Sequence, residues 1–127
     1  MHYDPVESLP RADLLRLQAE RLRKVLENAQ NSPFYRERLA SAGVRPEDIK
    51  TADDVRRLPF TTKADLRSQY PYGMLCRPKD QFVRLHASSG TTGSPTAVFY
   101  TQADIAQWAS LVARCMFATG MRQAQAE

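Results

Sequence analysis

Leu15, Ala19, Leu22, Leu26 and Ala29 recur three or four positions apart, with charged residues between them. That spacing predicts an amphipathic helix. Pro10 fits its first turn, where a missing N–H is harmless. The run "NSP" at 31–33 predicts a stop and a restart, with Ser32 as N-cap and Pro33 at the first helical position. Gly43 follows "FYRERLASA" and reads as a C-terminal stop. "TADDV" at 51–55 predicts a further helix, with Thr51 capping and Asp53 and Asp54 at the positive end of the dipole. Pro59 ends it. Thr62 and Asp65 are spaced for a capping box, and Lys63 reads as a surface residue at that helix start rather than a phosphate ligand. Pro71 and Gly73 punctuate a turn in which Tyr70 and Tyr72 are expected to be buried.

The period then changes. "QFVRLHA" (81–87) and "TAVFYT" (96–101) are short and rich in β-branched and aromatic residues, and predict strands. His86 reads as a packed strand residue rather than a general base. Thr101 and Asp104 repeat the Thr-x-x-Asp start. Ile105, Trp108, Val112, Cys115 and Thr119 continue at helical spacing toward Gly120, with Trp108 expected in a core or an interface. The fold class predicted is an α/β fragment: a helical segment over 1–80, then strand, loop, strand and helix over 81–127. Two strands alone are marginal in water, so the pair is expected to belong to a larger sheet and the chain to a longer protein. The apolar helix faces also offer a surface for a homodimer or another association.

Composition narrows the classes. A hydrophobic fraction of 43% and a charged fraction of 25% over 127 residues are those of one soluble globular domain. No apolar run reaches the length of a membrane span, and the first ten residues do not have the form of a secretory signal. The net charge is +4. Helix one mixes Arg11, Arg16, Arg21, Arg23 and Lys24 with Asp13, Glu20 and Glu27. Such a face is expected to be solvated and laced by pairs such as Glu20–Lys24 and Glu20–Arg23, which argues against a nucleic-acid interface. Cys76 and Cys115 match no metal-ligand spacing and read as reduced thiols in a cytoplasmic protein; no metal site is expected.

Chemistry concentrates between the strands, in "HASSGTTGSPT" at 86–96. Gly90 and Gly93 would let backbone N–H groups approach an anion, and Ser88, Ser89, Thr91 and Thr92 add hydroxyl donors. There is no Gly-Lys-Ser/Thr ending running into a helix, and no G-x-G-x-x-G, so neither of the two common nucleotide loops fits. A hairpin connection and a less common phosphate cradle both remain open on these residues alone.

The loop resembles that of the adenylate-forming enzymes, which reads Ser/Thr-Ser-Gly-Ser/Thr-Thr-Gly-x-Pro-Lys-Gly. Ser88 to Pro95 match, whereas Thr96 and Ala97 stand in place of Lys-Gly. With "NSPFYRERL", "LPFTTKADLR", "YPYGM" and "WASLVARCM" in colinear order, the chain is similar to the phenylacetate–CoA ligase branch. The resemblance implies the start of the large N-terminal domain of such an enzyme. It also implies ATP with Mg²⁺ as substrate complex, an aryl carboxylate and CoA as co-substrates, and an acyl-adenylate intermediate. By motif, Ser88, Ser89, Gly90, Thr91, Thr92 and Gly93 would hold the ATP phosphates. The catalytic lysine and the acid pocket would lie beyond this chain, so the chain alone is expected to be inactive. A non-catalytic nucleotide- or phosphate-binding module, and an acyl-adenylating relative of the coenzyme F390 synthetase kind, are the alternatives.

Overall fold

The computed structural model describes residues 3–88 and 95–122. Four α-helices run over Arg11–Ala29 (α1), Pro33–Ser41 (α2), Lys63–Ser68 (α3) and Gln102–Ala118 (α4). Two strands, Phe82–Ser88 (β1) and Thr96–Thr101 (β2), pair antiparallel, and short 3₁₀ turns fill the connections. The predicted order of helices, strand, strand and helix is the observed one. Strand β1 starts and ends one residue later than the 81–87 expected.

The periodicity of α1 places its stripe correctly except at its start, where Leu15 is 38% exposed. Ala19 and Leu26 are buried, and Leu26 joins Leu39, Val44 and Ile49 in the core, flanked by Leu22 and Leu58. Pro10 sits at the N-cap rather than inside the first turn, and its carbonyl accepts from Leu14 N–H at 3.0 Å. The ion pair on this helix is Asp13–Arg16 at 3.0 Å, not either Glu20 pair. Arg23 instead reaches across and donates to the Ile49 carbonyl at 3.0 Å. A long-range acceptor on a partly buried carbonyl outcompetes a screened surface ion pair.

Helix α2 ends as Gly43 predicted. Gly43 has φ +63°, Gly43 N–H donates to the Ala40 carbonyl, and Val44 N–H donates to the Leu39 carbonyl, both at 3.0 Å. This is a Schellman ending, and the side chains it brings together, Leu39 and Val44, are both core residues. Helix α4 ends the same way at Gly120, φ +98°.

Three caps follow the Thr-x-x-Asp pattern. Thr62 N–H donates to Asp65 Oδ2 at 2.7 Å while Asp65 N–H donates to Thr62 Oγ1 at 3.2 Å. Thr101 and Asp104 repeat this at 2.8 and 3.2 Å. Thr51 N–H likewise donates to Asp54 Oδ2 at 2.8 Å, but Asp54 N–H donates to the Thr51 backbone carbonyl at 3.3 Å, and Ala52–Arg57 is a 3₁₀ helix, not the α-helix expected. Pro59 lies two residues beyond its end and disfavours helical backbone at Leu58, so no second α-turn follows.

Ser32 departs from prediction. It occupies the N-cap position of α2 but makes no cap bond; fully buried, its Oγ donates to the Gly73 carbonyl at 3.0 Å. The partly buried Gly73 carbonyl takes this donor in place of a first-turn N–H, and Pro33 at the first helical position has no N–H that needs one. Tyr70 and Tyr72, expected to be buried, are 45% and 48% exposed. Tyr72 instead lies on the sheet surface against Phe99 and under the Lys79 ammonium, 3.7 Å from its ring centre.

Candidate functional site

The hairpin β1–β2 carries the candidate chemistry. Its register pairs Arg84 with Tyr100, His86 with Val98 and Ser88 with Thr96. Directly paired side chains share a face, so Ser88, His86, Thr96 and Tyr100 line one side of the hairpin. At its open end Ser88 Oγ and Thr96 Oγ1 lie 2.6 Å apart, sharing a hydrogen bond. Thr96, the residue that replaces the lysine of the common pattern, thus closes the base from which residues 89–94 depart and return. A hydroxyl can donate once and accept twice, so both groups keep capacity toward a ligand.

Of the six expected phosphate-holding residues, the structure describes Ser88, at the exposed end of β1. Ser89, Gly90, Thr91, Thr92 and Gly93 lie outside the described residues.

Below this pair the face is aromatic. His86 sits 4.9 Å from Tyr100 and 5.6 Å, edge-on, from Trp108 of α4; Tyr100 and Trp108 stack at 5.8 Å. His86 is packed, as expected. Of the two expectations for Trp108, a core place is not met, since it is 44% exposed. The three rings tie both strands to α4, and tilted and stacked pairs of this kind stabilise by about 0.5–1.5 kcal/mol each beyond burial. The sequence showed these residue types but not their meeting, since Trp108 is far from His86 along the chain.

The opposite face of the hairpin borders a cleft of about 720 Å³ whose walls include Tyr35, Leu75, Cys76, Phe99 and Asp104. Burial raises the Cys76 thiol above its ordinary range, which makes it a poor nucleophile at neutral pH. Asp104 is engaged in capping α4. This cleft therefore offers neither an activated nucleophile nor a free carboxylate. Both cysteines are free thiols. Among the described residues, no group of three His, Cys, Asp or Glu side chains could hold a metal ion, and no helix is long and apolar enough to cross a membrane.

Arg38 ties α2 to the start of α3. Its guanidinium donates to the Phe60 carbonyl, pairs with Asp65 at 3.2 Å and lies over the Phe34 ring. At the other end Glu7 pairs with Arg114 at 2.7 Å, holding the start of the chain against α4.

No protein-family model matches the chain. In sequence it is 50% identical over 121 residues to the phenylacetate–coenzyme A ligase of Pseudomonas putida, and 46% identical over 124 residues to that of Thermus thermophilus. These alignments take in 94% and 96% of this chain and 28% of each relative. Among solved structures, a 2-hydroxyisobutyryl-CoA ligase in complex with 2-HIB-AMP and CoA superposes with a TM-score of 0.80 at 34% identity. The match covers 91% of this chain and 26% of that one. The chain thus spans little more than a quarter of the length of these relatives.

Proposed function

We propose, from the premise that this chain belongs to the phenylacetate–coenzyme A ligase family, that it forms the phosphate-holding part of an AMP-forming aryl acid–CoA ligase. In that reaction a carboxylate oxygen attacks the α-phosphorus of ATP. The bond to the bridging oxygen breaks, pyrophosphate leaves, and an acyl-adenylate results. The CoA sulfur then adds to the acyl carbon and AMP leaves with the electron pair.

The part assigned to this chain is electrostatic. Charge moves onto the β- and γ-phosphates as pyrophosphate departs, and backbone N–H and hydroxyl donors from Ser88 to Gly93 would orient and neutralise it. The observation that carries the reading is the Ser88–Thr96 hydroxyl pair at the base of this segment, in a chain 46–50% identical to the ligases. It fixes two hydroxyls at the mouth of the hairpin, where the motif would present phosphate. Mg²⁺ would arrive with ATP, since among the described residues no group of three His, Cys, Asp or Glu side chains could hold it.

The test is ligand-induced thermal stabilisation of the chain by ATP and by pyrophosphate, beside an assay for acyl-CoA formation. Stabilisation by both, with no acyl-CoA formed, is the expected result. A chain indifferent to both at millimolar concentration refutes the phosphate-holding role. Formation of phenylacetyl-CoA by the chain alone refutes the division of labour.

A further inference from the structure

Helix α4 runs for 17 residues without one that is buried. Its apolar stripe of Ile105, Trp108, Val112 and Met116 lines an open groove of about 370 Å³, with Arg84 of β1 on the other side. At Trp108 the helix also meets both strands. The indole is edge-on to His86 of β1 at 5.6 Å and stacked with Tyr100 of β2 at 5.8 Å, and those two rings are 4.9 Å apart.

The place of this contact gives it a consequence for the candidate site. His86 pairs with Val98 and Ser88 with Thr96. The His86 ring therefore lies one same-face step from the hydroxyl pair, about 7 Å along the strand. The strands bury little of their own near this end: Leu85 and Val98 are 53% and 45% exposed. Two strands by themselves are marginal in water. A slip of one residue between them would turn every side chain of one strand to the opposite face, and would part Ser88 from Thr96. His86 and Tyr100 are diagonal neighbours across the two strands. A third ring seated on both opposes that slip.

We propose that Trp108 is a positioning residue for phosphate binding: seated on His86 and Tyr100, it holds the mouth of the hairpin in the register that sets Ser88 Oγ against Thr96 Oγ1. It acts through the two strands and not on the phosphate itself. The inference rests on the phosphate-holding reading and adds to it a residue outside the Ser88–Gly93 motif.

Trp108 is the one tryptophan of the chain, so tryptophan emission reports on this contact alone. The probe is pyrophosphate, which has no base to stack on an indole and does not absorb the exciting light. Calorimetric titration with pyrophosphate compares the wild type with Trp108→Leu, Trp108→Phe and His86→Ala. Gly43→Ala, at the end of α2, supplies a loss of stability without a change at the hairpin. Affinity is expected to fall about five- to tenfold in Trp108→Leu and His86→Ala, and to stay within about twofold of the wild type in Trp108→Phe and Gly43→Ala. Coupling between ligand and ring contact is reciprocal. Saturating pyrophosphate is therefore expected to reduce acrylamide quenching of Trp108 in the wild type and not in His86→Ala.

Wild-type affinity in Trp108→Leu and His86→Ala overturns the inference and leaves the phosphate-holding reading standing. An equal loss in Gly43→Ala does the same, since general stability would then be the cause. So does quenching that pyrophosphate leaves unchanged. If Trp108→Leu does not fold, His86→Ala decides. A wild type that binds no pyrophosphate refutes the reading and the inference together.

Discussion

Ser88 Oγ and Thr96 Oγ1 stand 2.6 Å apart across the last pair of the hairpin, so two residues eight apart in sequence share one hydrogen bond at the mouth of the candidate site. Thr96→Val keeps the shape and removes the hydroxyl. One net hydrogen bond is about 1 kcal/mol. ATP affinity is therefore expected to fall roughly three- to tenfold with the circular dichroism spectrum unchanged. Isothermal titration of the variant against ATP checks this; unchanged affinity would remove Thr96 from the site.

Ser32→Ala leaves the partly buried Gly73 carbonyl without its donor. The loss should be about 1–3 kcal/mol, read as a lower urea midpoint at constant slope. A change below the usual surface range of about 0.5 kcal/mol would mean that water replaces the hydroxyl.

Gly43 tests backbone conformation apart from packing. A Cβ there meets nothing within 4 Å, yet φ is +63°. Gly43→Ala should cost about 1–2 kcal/mol through left-handed strain alone, measurable by thermal melting. At Gly73, by contrast, a Cβ would come within 3.0 Å of the Gln69 backbone carbonyl, and the turn itself would have to shift.

Acid should loosen the helix starts. The carboxyls of Asp54 and Asp65 are held below the ordinary aspartate range chiefly by backbone N–H bonds, from Thr51 and Thr62 respectively. Asp48 is lowered too, first by its side-chain bond with Arg45. A carboxyl depressed in the folded state contributes stability that is whole above its unfolded value of about 4. That contribution is lost as pH falls through the lower folded value. Melting temperature should therefore drop on acidification below about pH 4. Asp54→Asn with Asp65→Asn should flatten that drop while lowering stability at pH 7. An equally steep acid transition in the double variant would assign it to other groups.

Local chemistry was legible in the chain because its causes are local. Thr62 and Asp65 cap a helix through atoms three residues apart, and Gly43 ends one because only its own φ matters. The β-branched and aromatic residues of 81–87 and 96–101 identified the strands for the same reason. Where a competing partner came from far away, the sequence reading failed. Ser32 had the composition of a cap and became a buried tertiary donor, 41 residues from Gly73. Trp108 had the spacing of a core or interface residue and lies 44% exposed, since periodicity marks the apolar face of a helix but not what packs over it.

By itself the sequence determined the order of elements, their capped ends and the Ser88–Gly93 motif, through contacts within a few residues and the period of apolar positions. Only the tertiary structure decided that Thr96 closes the hairpin on Ser88, that His86, Tyr100 and Trp108 meet, and that the stripe of α4 faces an open groove. Those are pairings between distant residues. Register and packing select them, because burying shared surface outweighs what any one segment prefers alone.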